Sequence, residues 1–148
     1  MKMWDDQQPA TDSPDESVAE HVRRYLETDG EDGFTEGGMT NLVLTTVGRR
    51  TGGLRRTGLF FTEDDGRYIL VASGAVASPK HPNWYLNLVH NPEVRVQIRA
   101  DKFAALARTA VGEERTRLWR LMTSLAPVYY EYEARCRRLI PVIVLERI

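Results

Sequence analysis

Residues 42–73, LVLTTVGRRTGGLRRTGLFFTEDDGRYILVAS, decide the fold. The stretch contains three short runs rich in β-branched and aromatic residues, at 42–47, 56–63 and 67–73. Such runs are typical of β-strands, and the GRRTGG and Asp-Asp-Gly segments between them have turn chemistry. The pattern therefore predicts two successive hairpins that form an antiparallel meander.

Three more strands are predicted further along the chain. EVRVQI (93–98) and KFAALARTA (102–110) alternate polar and apolar residues and predict another hairpin. IPVIVL (140–145) is an apolar run long enough for a central strand. Because few connections are long enough for a crossover between parallel strands, we expect a mainly antiparallel split β-barrel of about six strands.

Helices are predicted around this barrel, which makes the fold class α+β. The N-terminal helix is expected to begin at Ser13, with Pro14 at its first position and Glu16 completing a capping box. Gly30 is expected to end it.

Two further helical segments follow from local signals. After a loop at 74–82, Asn83 is expected to cap a short helix that must end before Pro92. Residues 112–125 carry apolar side chains at helical spacing, so a C-terminal helical segment is expected before the last strand.

Length and charge indicate one globular domain with an anionic ligand. The chain has 148 residues, of which 42% are hydrophobic and 28% charged. Residues 1–38 hold 11 acidic against 3 basic side chains, whereas residues 39–148 hold 17 basic against 10 acidic. A basic body suggests an anionic ligand, and an acidic arm that is solvated or lies across basic surface. We expect a flexible acidic arm at 1–12 and a single domain at 13–148.

Several classes of protein are not expected. No apolar run approaches the roughly 20 residues needed to cross a bilayer, and the start is too polar for a signal peptide, so a cytoplasmic location is expected. Cys136 is the only cysteine, and His21, His81 and His90 lack metal-binding spacing. A metal site is therefore not expected.

The strongest chemical signal is GRRTGGLRRT at 48–57. Four arginines lie within eight residues of a glycine-rich turn, so guanidinium groups and backbone N–H groups can converge on one phosphate or carboxylate. The structural alternative is an exposed hairpin tip whose arginines are solvated.

A second signal is SPKHPNWYLNL at 78–88. A proline-stiffened loop places Lys80 beside the start of a short helix, where the helix dipole favours negative charge. Trp84 offers an aromatic wall, and Asn87 offers an amide one turn later. As alternatives, Trp84 is a core residue and His81 an ordinary surface residue.

The third signal is the pair Tyr129 and Tyr132. Three residues apart, they would share a helical face and form a wall with two hydroxyls, or belong to an amphipathic helix that caps the barrel. The sequence has no Ser–His–Asp order, P-loop or dinucleotide-binding fingerprint. A cofactor would therefore have to carry the chemistry.

Taken in order, these segments resemble the deazaflavin-dependent nitroreductase family, which consists of split β-barrels that bind coenzyme F420. The resemblance runs from about His21 to Val144, through HVRRYLETDGEDG, LVLTTVGRRTG, the following arginine and threonine, VAS, KHPNWYLNLVHNPEV, and PVYYEYEA followed by IPVIVL. It implies an F420H2-dependent oxidoreductase that passes hydride to a planar quinone-like or nitroaromatic acceptor.

The resemblance also implies roles for individual residues. The phosphate-containing tail of the cofactor would lie on the arginine turn, and its ring would lie along the barrel. Tyr129 and Tyr132 would be catalytic residues in the wall of the acceptor pocket. The cofactor-binding residues would be Arg49, Arg50, Thr51, Gly52, Arg55, Thr57, Ala72, Ser73, Lys80, Pro82, Trp84 and Asn87.

The sequence departs from the family pattern at two places. Gly58 stands where the family usually has proline. The loop from Ser73 to Ser78 lacks the usual paired glycines and is about one residue longer, which affects the expected depth and tilt of the ring.

Alternative functions share the same fold. An FMN-binding split-barrel oxidoreductase would use the same anion site, and a non-catalytic deazaflavin carrier would bind without turnover. Nucleic acid is not an expected partner, because the arginine tip is short and no aromatic residues alternate with it. A homodimer and a peripheral membrane contact are left open, although an acidic arm would be repelled by anionic lipid.

Overall fold

The computed structural model describes residues 8–74 and 79–148, and within them four helices and nine strands. The strands are β1 Ala10–Thr11, β2 Thr35–Glu36, β3 Met39–Val47, β4 Leu54–Phe60, β5 Thr62–Asp64, β6 Arg67–Val71, β7 Glu93–Ile98, β8 Asp101–Thr109 and β9 Val142–Arg147. The helices are α1 Glu16–Glu27, α2 Asn83–His90, α3 Gly112–Leu125 and α4 Val128–Arg135.

The strands form one mainly antiparallel sheet, which confirms the predicted α+β class. Its order is β1-β4-β3-β7-β8-β9-β6-β5, and β2 pairs with β3 off this path. The three predicted hairpins are present as β3–β4, β5–β6 and β7–β8. The one parallel pairing among the described strands joins β1 to β4.

The strand count exceeds the six that the sequence predicts. The predicted strand at 56–63 is interrupted at Phe61, so that β4 pairs with β3 and β5 with β6. β1 and β2 contain two residues each, too few to show a period of two.

The last strand is buried on both faces, which explains its unbroken apolar sequence. Ile143 and Leu145 belong to the main core between the strands. Val142 and Val144 face the other way, into a second cluster with Leu118 and other residues of α3 and α4. As predicted, β9 lies inside the sheet, between β8 and β6.

The predicted start of the N-terminal helix is wrong by two residues. Asp15 is the N-cap of α1, and its carboxylate accepts a hydrogen bond from the Ser17 N–H at 3.0 Å. The Ser13 hydroxyl accepts from the Asp15 N–H at 3.1 Å instead of capping the helix. Both residue types are good caps, and Asp15 occupies the position because its carboxylate bonds a free N–H of the first turn.

The described part of the N-terminal arm lies on the sheet. Ala10 and Thr11 pair with Leu54 and Arg55 of β4. Residues 1–7 are outside the described ranges, so the flexible arm at 1–12 stays a prediction. Within those ranges, no helix combines the length and apolar character required to cross a bilayer.

Candidate functional site

The turn between β3 and β4 is closed by its own hydrogen bonds. The N–H of Gly48 donates to the Gly53 carbonyl at 2.7 Å, and the N–H of Gly52 donates to the Gly48 carbonyl at 2.8 Å. The N–H of Gly53 donates to Thr51 Oγ1 at 3.2 Å. These three glycine N–H groups are therefore used within the turn and are not available to an anion. Convergence of the arginine side chains and the remaining backbone N–H groups on an anion stays a prediction.

Asn87 of α2 holds this turn through Arg49. Its Oδ1 accepts hydrogen bonds from the Arg49 backbone N–H at 3.2 Å and from Arg49 Nη1 at 2.9 Å. Its Nδ2 donates to Thr46 Oγ1 at 3.1 Å. Asn87 is 3% exposed and Thr46 is fully buried, so these bonds form in a site shielded from water.

The start of α2 contributes a further contact to the same arginine. Asn83 does not cap the helix, because Pro82 occupies the N-cap position and makes no side-chain bond there. The Oδ1 of Asn83 instead accepts a hydrogen bond from Arg49 Nη2 at 3.2 Å. Sequence reasoning missed this role, although the spacing of Asn83 and Asn87, one turn apart, is its signal.

One cleft brings most of the predicted site residues together. It has a volume of about 810 Å³ and extends from the arginine turn to α4. The predicted residues that line it are Arg49, Arg50, Thr51, Arg55, Thr57, Ser73, Pro82, Trp84, Asn87, Tyr129 and Tyr132.

Three predicted residues lie elsewhere. Gly52 is part of the turn but not of the cleft lining. Ala72 is fully buried, and its carbonyl accepts a hydrogen bond from Arg138 at 3.2 Å. Lys80 lines an adjoining cavity of about 850 Å³, which shares Arg49 with the cleft. The altered loop cannot be placed, because residues 75–78 are outside the described ranges.

Arg138 is a cation that the sequence analysis missed. Its Nη2 donates to the Ser73 carbonyl at 2.7 Å, and its Nη1 lies 3.2 Å from His81 Nδ1. Burial, and then the charge of Arg138, lower the pKa of His81, so the neutral ring accepts this hydrogen bond. The position of Arg138 has no local signal, because it lies between α4 and β9 and reaches its partners only in the folded chain.

The two predicted catalytic tyrosines lie side by side on α4. The ring centroids of Tyr129 and Tyr132 are 6.0 Å apart in an edge-to-face arrangement, and Tyr129 also packs 6.4 Å from Trp119. Burial, and then Tyr132, raise the pKa of Tyr129 to about 12. The Tyr129 hydroxyl therefore stays protonated well above neutral pH, where it can donate a hydrogen bond but is a weaker acid than an ordinary tyrosine.

The N-terminal segment forms a wall of the cleft that the sequence analysis did not place there. Residues 11–15 line the cleft beside β4. Asp12 forms an ion pair with Arg56 of β4. This contact agrees with the expectation that acidic residues near the N-terminus lie across basic surface, but periodicity alone does not locate it.

Gly58 on β4 permits a close approach of α1. A Cβ atom at this position would lie 2.8 Å from Nδ1 of His21, closer than a real contact allows. His21 is buried, and its Nε2 lies 2.8 Å from the Gly33 carbonyl. The departure from the family pattern at Gly58 thus has a steric explanation in this chain.

Two solved structures are similar to this chain in both sequence and fold. A solved F420-H2 dependent reductase, FDR-A, is 38% identical to this chain and superposes on it with a TM-score of 0.65. The match covers 72% of this chain and 93% of the reductase chain. A second solved structure, a domain-swapped dimer, is 37% identical, covers 90% of this chain and 100% of its own, and has a TM-score of 0.69. The fold is thus similar to that of a solved F420-H2 dependent reductase.

The family follows from the sequence matches. The model of the F420H2-dependent quinone reductase family matches residues 17–147. An F420H2-dependent quinone reductase of Mycobacterium tuberculosis is 34% identical over 131 residues, which are 86% of this chain and 87% of that protein. The chain belongs to the F420H2-dependent quinone reductase family.

Proposed function

We propose that this protein is an F420H2-dependent reductase, which transfers reducing equivalents from reduced deazaflavin to a planar quinone-like or nitroaromatic acceptor. One observation carries the proposal: a single cleft is lined both by arginines, of which Arg49 is oriented by hydrogen bonds, and by two tyrosines in edge-to-face contact. An anionic cofactor tail and a planar acceptor need these two environments, and membership of the family supplies the identity of the cofactor.

The arginine end fits a phosphate-containing tail. Arg49, Arg50 and Arg55 all line it, and the guanidinium of Arg49 is already oriented by hydrogen bonds to α2. Arg55 lies beside the turn, with its Nε 3.5 Å from the position that a Cβ on Gly48 would occupy. Forked guanidinium donors match phosphate geometry, so we assign the tail to this end.

The cleft also has residues that fit a flat ring. Trp84 lines the cleft and also packs against the main core. The two interpretations of this residue, as a wall of the site and as a core residue, are therefore compatible. Ser73, which follows β6, also lines the cleft, and the bonds from Arg138 to the Ala72 and Ser73 carbonyls hold that backbone in place. When bound, the reduced deazaflavin would supply the hydride.

The tyrosine end would orient the acceptor and exclude water. Tyr129 is 5% exposed, and burial keeps its hydroxyl protonated by raising its pKa. A quinone oxygen that gains electron density would accept a hydrogen bond from such a group. Val128 adds apolar surface to the same wall. We therefore propose Tyr129, supported by Tyr132, as the donor to the acceptor oxygen.

Finer features of the fold and assembly belong to the same proposal. The segment from β4 to β5 pairs with β3 before Phe61 and with β6 after it, so one bent segment pairs with strands at the two ends of the sheet path. This supports closure as a split barrel. The domain-swapped relative supports a homodimer. A cytoplasmic location with peripheral membrane contact stays a prediction.

A parallel titration and turnover assay tests the proposal. The purified protein is titrated with oxidised F420 and, separately, with FMN, while the fluorescence of each ligand is followed. The rate of F420H2 oxidation is then measured with menadione as acceptor. We expect F420 to bind and menadione to be reduced. Binding of FMN alone would support the FMN alternative, and F420 binding without turnover would support a carrier.

A further inference from the structure

The buried amide of Asn87 is occupied at both ends by protein groups. Its oxygen accepts two hydrogen bonds from Arg49, at 3.2 and 2.9 Å, and its nitrogen donates to Thr46 at 3.1 Å. Asn87 comes from α2 and Thr46 from β3, immediately before the arginine turn. The amide therefore connects the helix, the strand and the turn within one hydrogen-bonded network.

We propose that Asn87 and Thr46 are positioning residues, which hold the guanidinium of Arg49 in the orientation that binds the phosphate of the cofactor tail, instead of residues that contact the ring. This inference rests on the proposed function. It differs from the expectation that Asn87 lies along the deazaflavin, because the Asn87 oxygen is already shared by two donors from one arginine.

The chemistry of the network supports a positioning role. A guanidinium carries five N–H donors, so its bonds to Asn87 and Asn83 orient the fork without exhausting it. A flexible arginine would lose side-chain entropy on binding an anion, whereas an oriented one loses less. Thr46 acts through Asn87: its hydroxyl accepts a hydrogen bond from Asn87 Nδ2 and holds the amide in place, while the two Arg49 donors require the amide oxygen to face them.

A ligand comparison separates positioning from ring contact and from general stability. The two probes are F420 and a phosphate-free deazaflavin that keeps the ring and the ribityl chain. Thr46→Val keeps the side-chain shape and removes the hydroxyl, whereas Thr46→Ser keeps the hydroxyl. Thr123→Val is the matched control, because Thr123 is also buried but donates to the Trp119 carbonyl within α3, at 2.8 Å.

The expected result is selective for the phosphate. Thr46→Val should weaken F420 binding by about 10-fold, since the buried Asn87 amide loses a partner, and should leave the affinity for the phosphate-free probe unchanged. Thr46→Ser should restore F420 affinity. Thr123→Val should lower the melting temperature without changing the ratio of the two affinities. Asn83→Ala, at an exposed position, should give a smaller loss with the same selectivity and tests the network even if Thr46→Val does not fold.

Two results would overturn the inference. Equal losses of affinity for both probes would mean that the network contacts the ring or only stabilises the fold. Unchanged F420 affinity in both Thr46→Val and Asn83→Ala would mean that Arg49 needs no orientation. A wild-type protein that binds neither deazaflavin would instead refute the proposed function itself.

Discussion

The side-chain oxygen of Asn87 accepts two hydrogen bonds from Arg49, one from its backbone N–H at 3.2 Å and one from its guanidinium at 2.9 Å. The two residues are far apart in sequence, and their contact joins α2 to the turn between β3 and β4. Arg49 is therefore oriented before a ligand arrives, and under the proposed function this orientation would favour tight binding of a phosphate.

Removal of a neighbouring arginine should weaken cofactor binding. A charge-assisted hydrogen bond contributes about 1.5–3 kcal/mol, so Arg55→Ala should raise the Kd for F420 about 10- to 100-fold, with a larger effect at low salt. Fluorescence titration at two ionic strengths measures this. Arg117→Ala is the control, because Arg117, on α3, pairs with Asp64 of β5 and lies outside the cleft lining. Equal affinities in the wild type and Arg55→Ala would mean that Arg55 is a solvated surface residue and does not bind the cofactor.

Removal of the Tyr129 hydroxyl should reduce turnover without affecting the fold. Tyr129→Phe keeps the ring packed against Trp119, so the melting temperature and the Kd for F420 should change little. The kcat with menadione should fall by up to ~10²-fold if the hydroxyl donates to the acceptor. Tyr130→Phe on the same helix is the control, since Tyr130 is 53% exposed. Full activity in Tyr129→Phe would remove this residue from the proposed site.

The pH dependence of kcat gives a second test of Tyr129. Because its pKa is raised to about 12, the hydroxyl is protonated at all lower pH values, and activity that depends on it is lost only as pH rises toward that value. The kcat profile of the wild type should therefore show no alkaline loss near pH 10, the ordinary pKa of tyrosine. A loss near pH 10 that is absent from Tyr129→Phe would show that Tyr129 titrates at its ordinary value, and would contradict the raised pKa.

A methyl group at Gly58 should destabilise the packing of α1 on β4. In Gly58→Ala, the new Cβ would lie 2.8 Å from His21 Nδ1, so we expect a loss of about 1–3 kcal/mol in the free energy of unfolding. Gly53→Ala is the control, because its Cβ would have an ordinary 3.4 Å contact. His21→Ala in the Gly58→Ala background should recover part of the loss, and simple additivity of the two changes would argue against the clash.

The ion pairs of Glu114 should make part of the stability dependent on pH. Arg108, and after it Arg67, lower the pKa of Glu114 to about 2. Burial raises this pKa, but by less than Arg108 lowers it. Because the folded pKa is below the unfolded one, this stabilisation is fully present above about pH 4.5 and is lost as pH falls toward 2. Glu114→Gln should cost about 1 kcal/mol at pH 7, since the pairs are partly exposed. Urea unfolding gives the free energy of unfolding of the wild type and of Glu114→Gln. The difference between the two proteins should be smaller at pH 3 than at pH 7.

The fold was predicted best where its signals are local. The hairpins at 42–73 and 93–110 follow from alternation and turn chemistry, and both are present. The helix over 112–125 matches its apolar spacing. The errors lie at boundaries: Asp15 and Pro82 occupy the cap positions expected for Ser13 and Asn83. Neighbouring residues compete for a cap, and tertiary packing decides between them.

The candidate site was also predicted where its signals are local, and missed where they are not. Its three segments were found from clustered arginines, a proline-flanked aromatic and asparagine motif, and spaced tyrosines, and these line one cleft. Thr46 and Arg138 were missed, because a single threonine in a strand and a single arginine in a connection have no local pattern. Their roles depend on partners from distant elements.

The sequence by itself determined the antiparallel sheet, the basic turn between β3 and β4 and the helix that carries the tyrosines, because hydrophobic periodicity, turn residues and charge clusters are properties of a few neighbouring positions. Only the tertiary structure decided that Asn87 binds Arg49 instead of projecting freely into the cleft, that Lys80 lies in the adjoining cavity, and that residues 11–15 wall the cleft. These arrangements depend on how burial of apolar surface brings distant segments together and on which polar groups must then find partners away from water, and neither is encoded in any short stretch of the chain.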